Sequence, residues 1–327
     1  MKRIILDTDI GTDVDDAMAV ALAASTPELE VAGITTVHAD APLRARIARR
    51  LLELAGQGDI PVVAGASAPI RMPIAKDFHW MPRLWGHEGV GILPPEELTP
   101  TQDLKATSDD AAHFIIETAR AYPGELSMIT IGPLTNVGKA LQLEPQLAAR
   151  IRDVTVMGGL VDTSKLAWPP VLETNLNADP GASEILFRAG IPLTIVPLEV
   201  TTQIFLSAQH RAEMRAWGQP LSDTLVTLME QMRENFATFA SHVGLSPDTF
   251  QERTYMHDPL AIYTSMSSRF VTLRGVHIQL EVREGVLRTI AYPDRTPNAQ
   301  VCVGVDAPGF VEFWLARIKD RAFHAGE

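Results

Sequence analysis

Aspartates crowd one short stretch near the start of the sequence. Five occur within ten residues: Asp7, Asp9, Asp13, Asp15 and Asp16. An apolar segment at 4–6 precedes them, and small apolar residues at 17–24 follow. This pattern predicts a buried strand, a turn and a tightly packed helix. Because ligands in open α/β sheets bind at the carboxyl ends of strands, we expect the aspartates to serve a binding site.

Like charges at this density repel one another unless a cation shares them. Side-chain alternation directs Asp7 and Asp9 to one side of the strand, and Gly11 allows the chain to turn. Asp15 and Asp16 then lie near a helix N-terminus, whose dipole favours negative charge. A hard cation held by oxygens, calcium or magnesium, fits better than zinc, because no thiolate and few imidazoles are near.

A simpler interpretation is that the aspartates of the turn only cap the helix and face water. Acidic residues are common in a first helical turn, so this explanation suits Asp13, Asp15 and Asp16 taken one at a time. For the whole cluster behind a buried strand, however, the cost of burying unpaired charge favours a bound cation.

Composition narrows the class of protein. The chain has 327 residues, enough for a large core, and 46% hydrophobic with 21% charged residues is ordinary for a soluble globular protein. A formal charge of −12 argues against nucleic acid or an anionic membrane as partner. Cys302 is the only cysteine, so nothing indicates secretion. With no signal-peptide or membrane-spanning pattern, we expect a cytoplasmic protein.

Strand-like and helix-like segments alternate over the first two thirds of the chain, which implies parallel strands with helices on both faces. The last third adds long helix-like segments, three extended segments near 276–283, 287–292 and 299–304, and a final helix at about 307–320. We therefore predict a single α/β domain over residues 1–327. Its core is an open, doubly wound, mostly parallel sheet.

Residues 66–107 interrupt this rhythm. The segment is rich in proline, includes Trp80, and has several glycines close to Trp85. Loops of this length inside a compact domain are usually functional or mobile, which predicts a lid over the site. The alternative is a surface excursion whose aromatic side chains, Trp80 among them, pack back on the body.

Several different short motifs occur along the chain in a defined order. They are Asp7-x-Asp9 with Gly11 and Asp15-Asp16-Ala17; Thr35-Thr36-Val37; residues 60–65; Gly132-Pro133-Leu134-Thr135-Asn136; Met157-Gly158-Gly159; Glu173-Thr174-Asn175 with Ala178-Asp179-Pro180; and His257-Asp258-Pro259. This ordered set resembles the nucleoside hydrolase family. Its inosine–uridine-type members are ribohydrolases that split the N-glycosidic bond of nucleosides.

The resemblance implies a calcium ion and a ribose pocket. The calcium ligands would be Asp9, Asp16, the backbone carbonyl of Thr135, and Asp258. Asp9 would also take the proton from a water bound to calcium. The ribose hydroxyls would be held by Asp15, Glu173, Asn175 and again Asp258, with Met157 among the substrate-binding residues. His257 lies where many members place the acid that assists the leaving base.

These residue types suit the reaction on chemical grounds. Cleavage of a ribosyl C–N bond develops positive charge on the sugar, which carboxylates around the ribose stabilise in the transition state. Calcium's flexible oxygen shell can position sugar hydroxyls and the attacking water together. A histidine can supply a proton to the base near neutral pH.

The chain also departs from the family pattern. Two extra residues lengthen the turn before Asp15, which leaves open whether Asp13 replaces an expected ligand. Asp40 stands near a usual asparagine, Trp85 replaces the histidine of a His-Gly pair, and residues 167–170 lack an expected asparagine. Asp40 and Trp85 resemble purine-selective relatives, since aromatic stacking favours the larger purine face. They favour purine or modified ribonucleosides as substrates.

Two other functions remain open from the sequence. A calcium-dependent ribose- or nucleoside-binding protein would use the same residues with little or no turnover. A magnesium-dependent aspartate-nucleophile phosphatase also begins with Asp-x-Asp after a buried strand, but no convincing lysine and second acidic pair follow. The resemblance further implies a homodimer or homotetramer.

Overall fold

A nine-stranded sheet forms the centre of the computed structural model, which describes residues 1–74, 86–99, 108–166, 173–242 and 253–324. Its strands are β1 (Lys2–Thr8), β2 (Leu29–Thr36), β3 (Val62–Ala64), β4 (Leu126–Thr130), β5 (Ile151–Met157), β6 (Leu193–Val196), β9 (Val271–Arg283), β10 (Val286–Tyr292) and β11 (Ala299–Val305). They occur in the spatial order β10-β9-β11-β6-β5-β4-β1-β2-β3. Two further strands, β7 (Phe205–Ser207) and β8 (Arg253–Tyr255), form a separate antiparallel pair.

Helices cover both faces of the sheet. They are α1 (Asp15–Ala24), α2 (Ala41–Leu54), α3 (Asp110–Ala121), α4 (Thr135–Leu143), α5 (Thr174–Ala178), α6 (Pro180–Arg188), α7 (Leu198–Thr201), α8 (Ala208–Ala216), α9 (Pro220–His242), α10 (His257–Met266) and α11 (Ala307–His324). None of these described helices is both long and apolar enough to span a membrane. The predicted single α/β domain with a mostly parallel sheet is confirmed.

Two apolar cores explain this layering. Side chains of β1 alternate between them, so that Ile4 and Leu6 pack on one side and Ile5 on the other. The first core includes all but the first two residues of α1, whose small side chains allow α1, α10 and the sheet to approach closely. Trp314 of α11 is fully buried in the same core, and its indole N–H donates to the Met18 carbonyl at 3.2 Å.

The order of the strands determines where the site lies. Starting from β1, the chain first adds β2 and β3 on one side and then β4, β5 and β6 on the other. Both neighbours run parallel to β1, and Asp7 pairs with Thr130 of β4. The carboxyl ends of β1 and β4 therefore flank the point where the order reverses, which is where open α/β sheets bind ligands.

Three local features differ from the sequence-based expectation. A short helix, α5, occupies Thr174–Ala178, a stretch whose sequence predicts an irregular loop; Asp179 then caps α6, and Pro180 begins it. The helical spacing of Ile47, Leu51 and Leu54 predicts a helix from about Arg44, but α2 begins three residues earlier at Ala41, with Asp40 as its N-cap. The pair β7–β8 carried no strong periodic signal, since each strand has only three residues.

Candidate active site

Three buried carboxylates meet at the point where the strand order reverses, beside the carboxyl ends of β1 and β4. Asp15 and Asp16 begin α1, and Asp258 is the second residue of α10, which packs against α1. Each side chain offers an oxygen, and these oxygens all lie within 4.8 Å of one another. The three residues are only 3–4% exposed. The turn after β1 and the start of a helix over 240 residues later thus supply one acidic cluster.

Few hydrogen-bond donors reach this cluster. The Thr8 hydroxyl donates to Asp16 Oδ1, and the Asp258 amide donates to Asp15 Oδ2 at 3.4 Å. Burial raises the pKa of Asp15, Asp16 and Asp258 well above the usual range, and their neighbouring carboxylates raise it further. Burial and mutual repulsion therefore disfavour the charged form of these carboxylates, which a bound cation would favour.

Asp9 lies beside the cluster and not within the group of three. A Cβ on Gly132, in the turn after β4, would lie only 2.6 Å from Asp9 Oδ1, so the carboxylate occupies space that only glycine leaves open. Burial raises the pKa of Asp9 to about 6, against the opposing effect of the Arg44 guanidinium. Its charge is also near enough to raise the pKa of Asp16 and Asp258.

Arg44 holds the turn that carries these aspartates. Its side chain is almost fully buried, and its guanidinium donates to the carbonyls of Asp9 and Ile10, with 2.9 Å to the latter. It also donates to the His38 carbonyl at 2.8 Å and to the Thr12 hydroxyl at 3.2 Å. The sequence carries no signal of this role, because a charged residue on an amphipathic helix is ordinarily solvated.

The lengthened turn is also anchored to the described part of the predicted lid. The Thr12 hydroxyl donates to Glu88 at 3.0 Å, and His87 Nε2 lies 2.9 Å from the Thr12 carbonyl. The turn presents Asp13 toward the site, where its charge raises the pKa of Asp15 and opposes the lowering of the His257 pKa by burial. Asp13 is therefore a fifth acidic group at this edge.

Asp179 binds the segments around Thr135. Thr135 begins α4, and its buried hydroxyl donates to Asp179 Oδ2 at 2.8 Å. Asp179 also accepts from the backbone amides of Ile70, Arg71 and Ala182 at 2.7, 3.2 and 3.0 Å. The role of the Thr135 carbonyl as a metal ligand stays a prediction.

Glu173 and Asn175 lie behind the ends of β4 and β5. Glu173 caps α5, and its carboxylate accepts from the amides of Asn175 and Leu176 at 2.8 and 3.0 Å. Burial raises the pKa of Glu173 to about 7. The Asn175 amide group donates to the carbonyls of Ile131 and Met157 at 2.9 and 3.1 Å. The structure thus brings Met157, Glu173 and Asn175 together at the predicted edge.

His257 stands next to the acidic cluster at the start of α10. Its Nδ1 lies 2.7 Å from the hydroxyl of Thr201 in α7, and its ring stacks on Tyr255 with centroids 5.7 Å apart. The pair β7–β8 positions it, because β8 ends at Tyr255 and the Met256 amide donates to the Ile204 carbonyl at 3.1 Å. Neither Thr201 nor β7–β8 carried a sequence signal.

Two residues predicted to contact the base differ in what the structure shows. Asp40 is fully buried, and its carboxylate accepts from the Leu43 amide at 2.9 Å as the cap of α2. Trp85 lies outside the described residues, as do Trp80 and residues 167–170. Of the predicted lid at 66–107, the structure describes residues 66–74 and 86–99.

The ligand atoms of this cluster suit a hard divalent cation. They are buried carboxylate oxygens, and the described residues supply too few hydrogen-bond donors to stabilise their charge. Oxygen-only, anionic sites of this kind bind calcium or magnesium in preference to softer metals. The protein is thus an α/β protein with a candidate divalent-metal centre at the point where its strand order reverses.

Comparison with known proteins identifies the family. Residues 4–312 match the family model for inosine-uridine preferring nucleoside hydrolases, so the chain belongs to that family. It is therefore an N-glycosidase that hydrolyses ribonucleosides, and the predicted family membership is confirmed.

Individual relatives are similar over nearly their whole lengths. The pyrimidine-specific ribonucleoside hydrolase RihA of Salmonella arizonae is 32% identical, over 97% of this chain and 98% of its own. The probable uridine nucleosidase 2 of Arabidopsis thaliana is 29% identical, over 98% of each chain. Among solved structures, a purine-preferring ribonucleoside hydrolase from Gardnerella vaginalis superimposes with a TM-score of 0.80 at 27% identity, covering 98% of this chain and 99% of the other.

Proposed function

We propose that the protein is a calcium-dependent ribonucleoside hydrolase that releases free base and ribose. The observation that carries the proposal is the convergence of Asp15, Asp16 and Asp258 on one point with few donors to neutralise them. Asp9 stands at its side. A fixed array of carboxylates is suited to a reaction whose transition state places positive charge on the sugar.

The metal site would use Asp9, Asp16, Asp258 and the Thr135 carbonyl. All four residues follow strands or begin helices at one edge of the sheet. A bound calcium ion would orient sugar hydroxyls and lower the pKa of a water molecule. Asp15 belongs to the same group of three carboxylates, so it lies beside the proposed metal site, where it would contact the ribose hydroxyls.

The remaining roles fall to side chains around this centre. Asp9 takes a proton from the attacking water, since its carboxylate lies beside the three clustered carboxylates where that water would be held. Asp15, Glu173, Asn175 and Asp258 bind the ribose hydroxyls. His257 protonates the base as the C–N bond breaks, so that a neutral base departs.

The preferred base is proposed from two residues. Trp85 would stack on the base and Asp40 would lie near it, which favours purine or modified nucleosides over pyrimidines. Relatives of both kinds occur, since one is named pyrimidine-specific and another purine-preferring. Trp85→Ala should therefore lower kcat/KM for inosine more than for uridine, changing their ratio by about tenfold or less. An unchanged ratio would remove Trp85 from base selection.

Ribose release from purified protein tests the proposed function. Inosine, adenosine, guanosine, uridine and cytidine are assayed with added calcium, with added magnesium, and with EDTA. We expect ribose and free base in equal amounts with calcium, and loss of activity with EDTA. Tight ribose binding without turnover would show a binding protein instead. Release of phosphate from phosphate esters without ribose release would show a phosphatase. Light scattering of the same sample tests the proposed homodimer or homotetramer.

A further inference from the structure

We infer that Thr201 is a positioning residue for His257, holding the imidazole in one orientation and one tautomer so that Nε2 transfers the proton to the leaving base. The inference rests on the proposed function, since it needs His257 to act as the acid. Thr201 ends the four-residue helix α7 and is fully buried.

The contact is specific to one atom of the ring. Thr201 Oγ1 lies 2.7 Å from His257 Nδ1, and the same hydroxyl lies 3.2 Å from the Leu198 carbonyl of its own helix. Tyr255 stacks on the face of the ring at an interplanar angle of 25°. In the described part of the chain, no side chain hydrogen-bonds Nε2. One edge and one face of the imidazole are thus held, and the other nitrogen is left for substrate.

The arrangement of donors selects the tautomer. A threonine hydroxyl has one proton, and the Leu198 carbonyl can only accept it. Oγ1 then has a lone pair for the Nδ1–H of His257. The protonated imidazole needs an acceptor for Nδ1–H in any case, and Oγ1 is the atom at that position. The hydrogen bond is therefore kept before and after transfer, and only Nε2 changes its protonation.

The proton balance of the step follows from this assignment. The C–N bond breaks, its electron pair goes to the base, and the base takes the proton from Nε2–H. Water adds to the sugar carbon and loses a proton to Asp9. His257 is left neutral with its Nδ1–H still bonded to Thr201. Asp9 releases its proton to the solvent, and the solvent restores one proton on His257 Nε2. The sum is nucleoside plus water giving ribose plus base.

Nuclear magnetic resonance tests the tautomer without relying on activity. Long-range ¹H–¹⁵N spectra of the calcium-loaded protein distinguish Nδ1–H from Nε2–H in a neutral imidazole, and a His257→Gln variant identifies the signals. We expect the Nδ1–H form in the natural protein. Thr201→Val, which removes the acceptor but keeps the side-chain shape, should shift His257 toward the Nε2–H form. An Nε2–H form in the natural protein would overturn the inference.

Kinetics test whether this positioning matters for the leaving group. Thr201→Val should lower kcat for inosine by about 10- to 100-fold, since a misplaced catalytic group costs about that much. Thr201→Ser keeps the hydroxyl and should restore kcat to within about threefold of the natural protein. On p-nitrophenyl β-D-ribofuranoside, whose leaving group departs as a stable anion, the valine variant should lose less than about threefold.

A matched control separates this role from a structural one. Thr264 is a buried threonine of α10 whose hydroxyl donates to the Leu260 carbonyl of its own helix at 2.7 Å. Thr264→Val should leave kcat on both substrates within about threefold. Equal losses on both substrates by Thr201→Val, without rescue by serine, would show that Thr201 only supports the fold.

The double variant decides the question on nucleosides alone. His257→Ala should lower kcat by about 10²- to 10⁴-fold, the usual contribution of a general acid. If Thr201 acts through His257, adding Thr201→Val to His257→Ala should cause no further loss. Multiplying losses would overturn the inference. A natural protein that releases no ribose from any nucleoside would instead overturn the proposed function, while the tautomer spectra still report on Thr201.

Discussion

A single buried aspartate and a cluster of three lie at the same edge of the sheet, and their charges are stabilised in different ways. Asp179 is fully buried and accepts hydrogen bonds from one hydroxyl and three backbone amides. Asp15, Asp16 and Asp258 are nearly as buried, but chiefly face one another. A carboxylate surrounded by hydrogen-bond donors holds neighbouring segments together, whereas a group of carboxylates with few such donors needs a cation.

The difference shows how sequence motifs of similar appearance divide between structure and chemistry. Both Asp179-Pro180 and Asp258-Pro259 place an aspartate next to a proline near a helix start. Asp179 closes α6 onto residues 70 and 71 and onto Thr135, and Asp258 instead points its charge at α1. Only the neighbours that tertiary structure brings to each residue separate the two.

Removing one charge from the cluster should have the largest effect. Asp16→Asn keeps an acceptor for the Thr8 hydroxyl but weakens the metal site, so kcat/KM for the best nucleoside should fall by about 10³-fold or more. The measurement is ribose release over a range of calcium concentrations. The exposed Asp59→Asn serves as the control and should be unchanged. Full activity of Asp16→Asn in EDTA would contradict the metal-site interpretation.

Removing Asp179 should instead lower stability. Asp179→Ala leaves three backbone amides and the Thr135 hydroxyl without their acceptor, and we expect the free energy of unfolding to fall by about 2–4 kcal/mol. Urea unfolding in EDTA measures the loss. Added calcium should not reverse it. A variant as stable as the natural protein would show that this aspartate does not join the segments as described.

Calcium itself should stabilise the natural protein through the cluster. A ligand present at about 100 times its Kd adds about 2.7 kcal/mol to the free energy of unfolding. We therefore expect a higher Tm with calcium than with EDTA. In Asp16→Asn the difference should shrink, while the protein in EDTA should be more stable than the natural one because less like charge is buried. Equal responses of the two proteins to calcium would place the ion elsewhere.

The smallest expected effect concerns Glu173, whose carboxylate has fewer hydrogen-bond donors than Asp179 but more than any one carboxylate of the cluster of three. It accepts from two amides, yet burial raises its pKa to about 7. The native state then holds a proton that the unfolded chain releases above its lower pKa, so stability should fall as pH rises toward 7. Glu173→Gln should reduce this slope, by at most about 1.4 kcal/mol per pH unit. Urea unfolding between pH 4.5 and 7 measures the slope, and an unchanged slope would refute the assignment.

Much of the fold and the acidic turn could be predicted from the sequence. The alternation of apolar strands with helices predicts the parallel sheet, and the run of aspartates predicts Asp15 and Asp16 at a helix start beside the strand end. The family resemblance links Asp258 to them, and the structure brings all three together. Local patterns succeed here because strand periodicity and helix capping depend on neighbouring residues.

The parts that escaped prediction all depend on residues distant in sequence. Arg44 is a helical arginine whose buried contacts lie 32 to 35 positions away, at Asp9, Ile10 and Thr12. Thr201 meets a histidine 56 positions away. The pair β7–β8 has strands too short to show a period. The two partners of each of these contacts are too far apart along the chain to form one local sequence pattern.

Three properties can be recognised along the chain alone: acidic residues that end a buried strand, an alternation of strands with helices, and ordered motifs that resemble nucleoside hydrolases. Which carboxylates share a point in space, and which accept hydrogen bonds from backbone amides, depends on how the chain folds. A charge is stabilised by the atoms that surround it in three dimensions, whereas a motif records only the residues beside it along the chain.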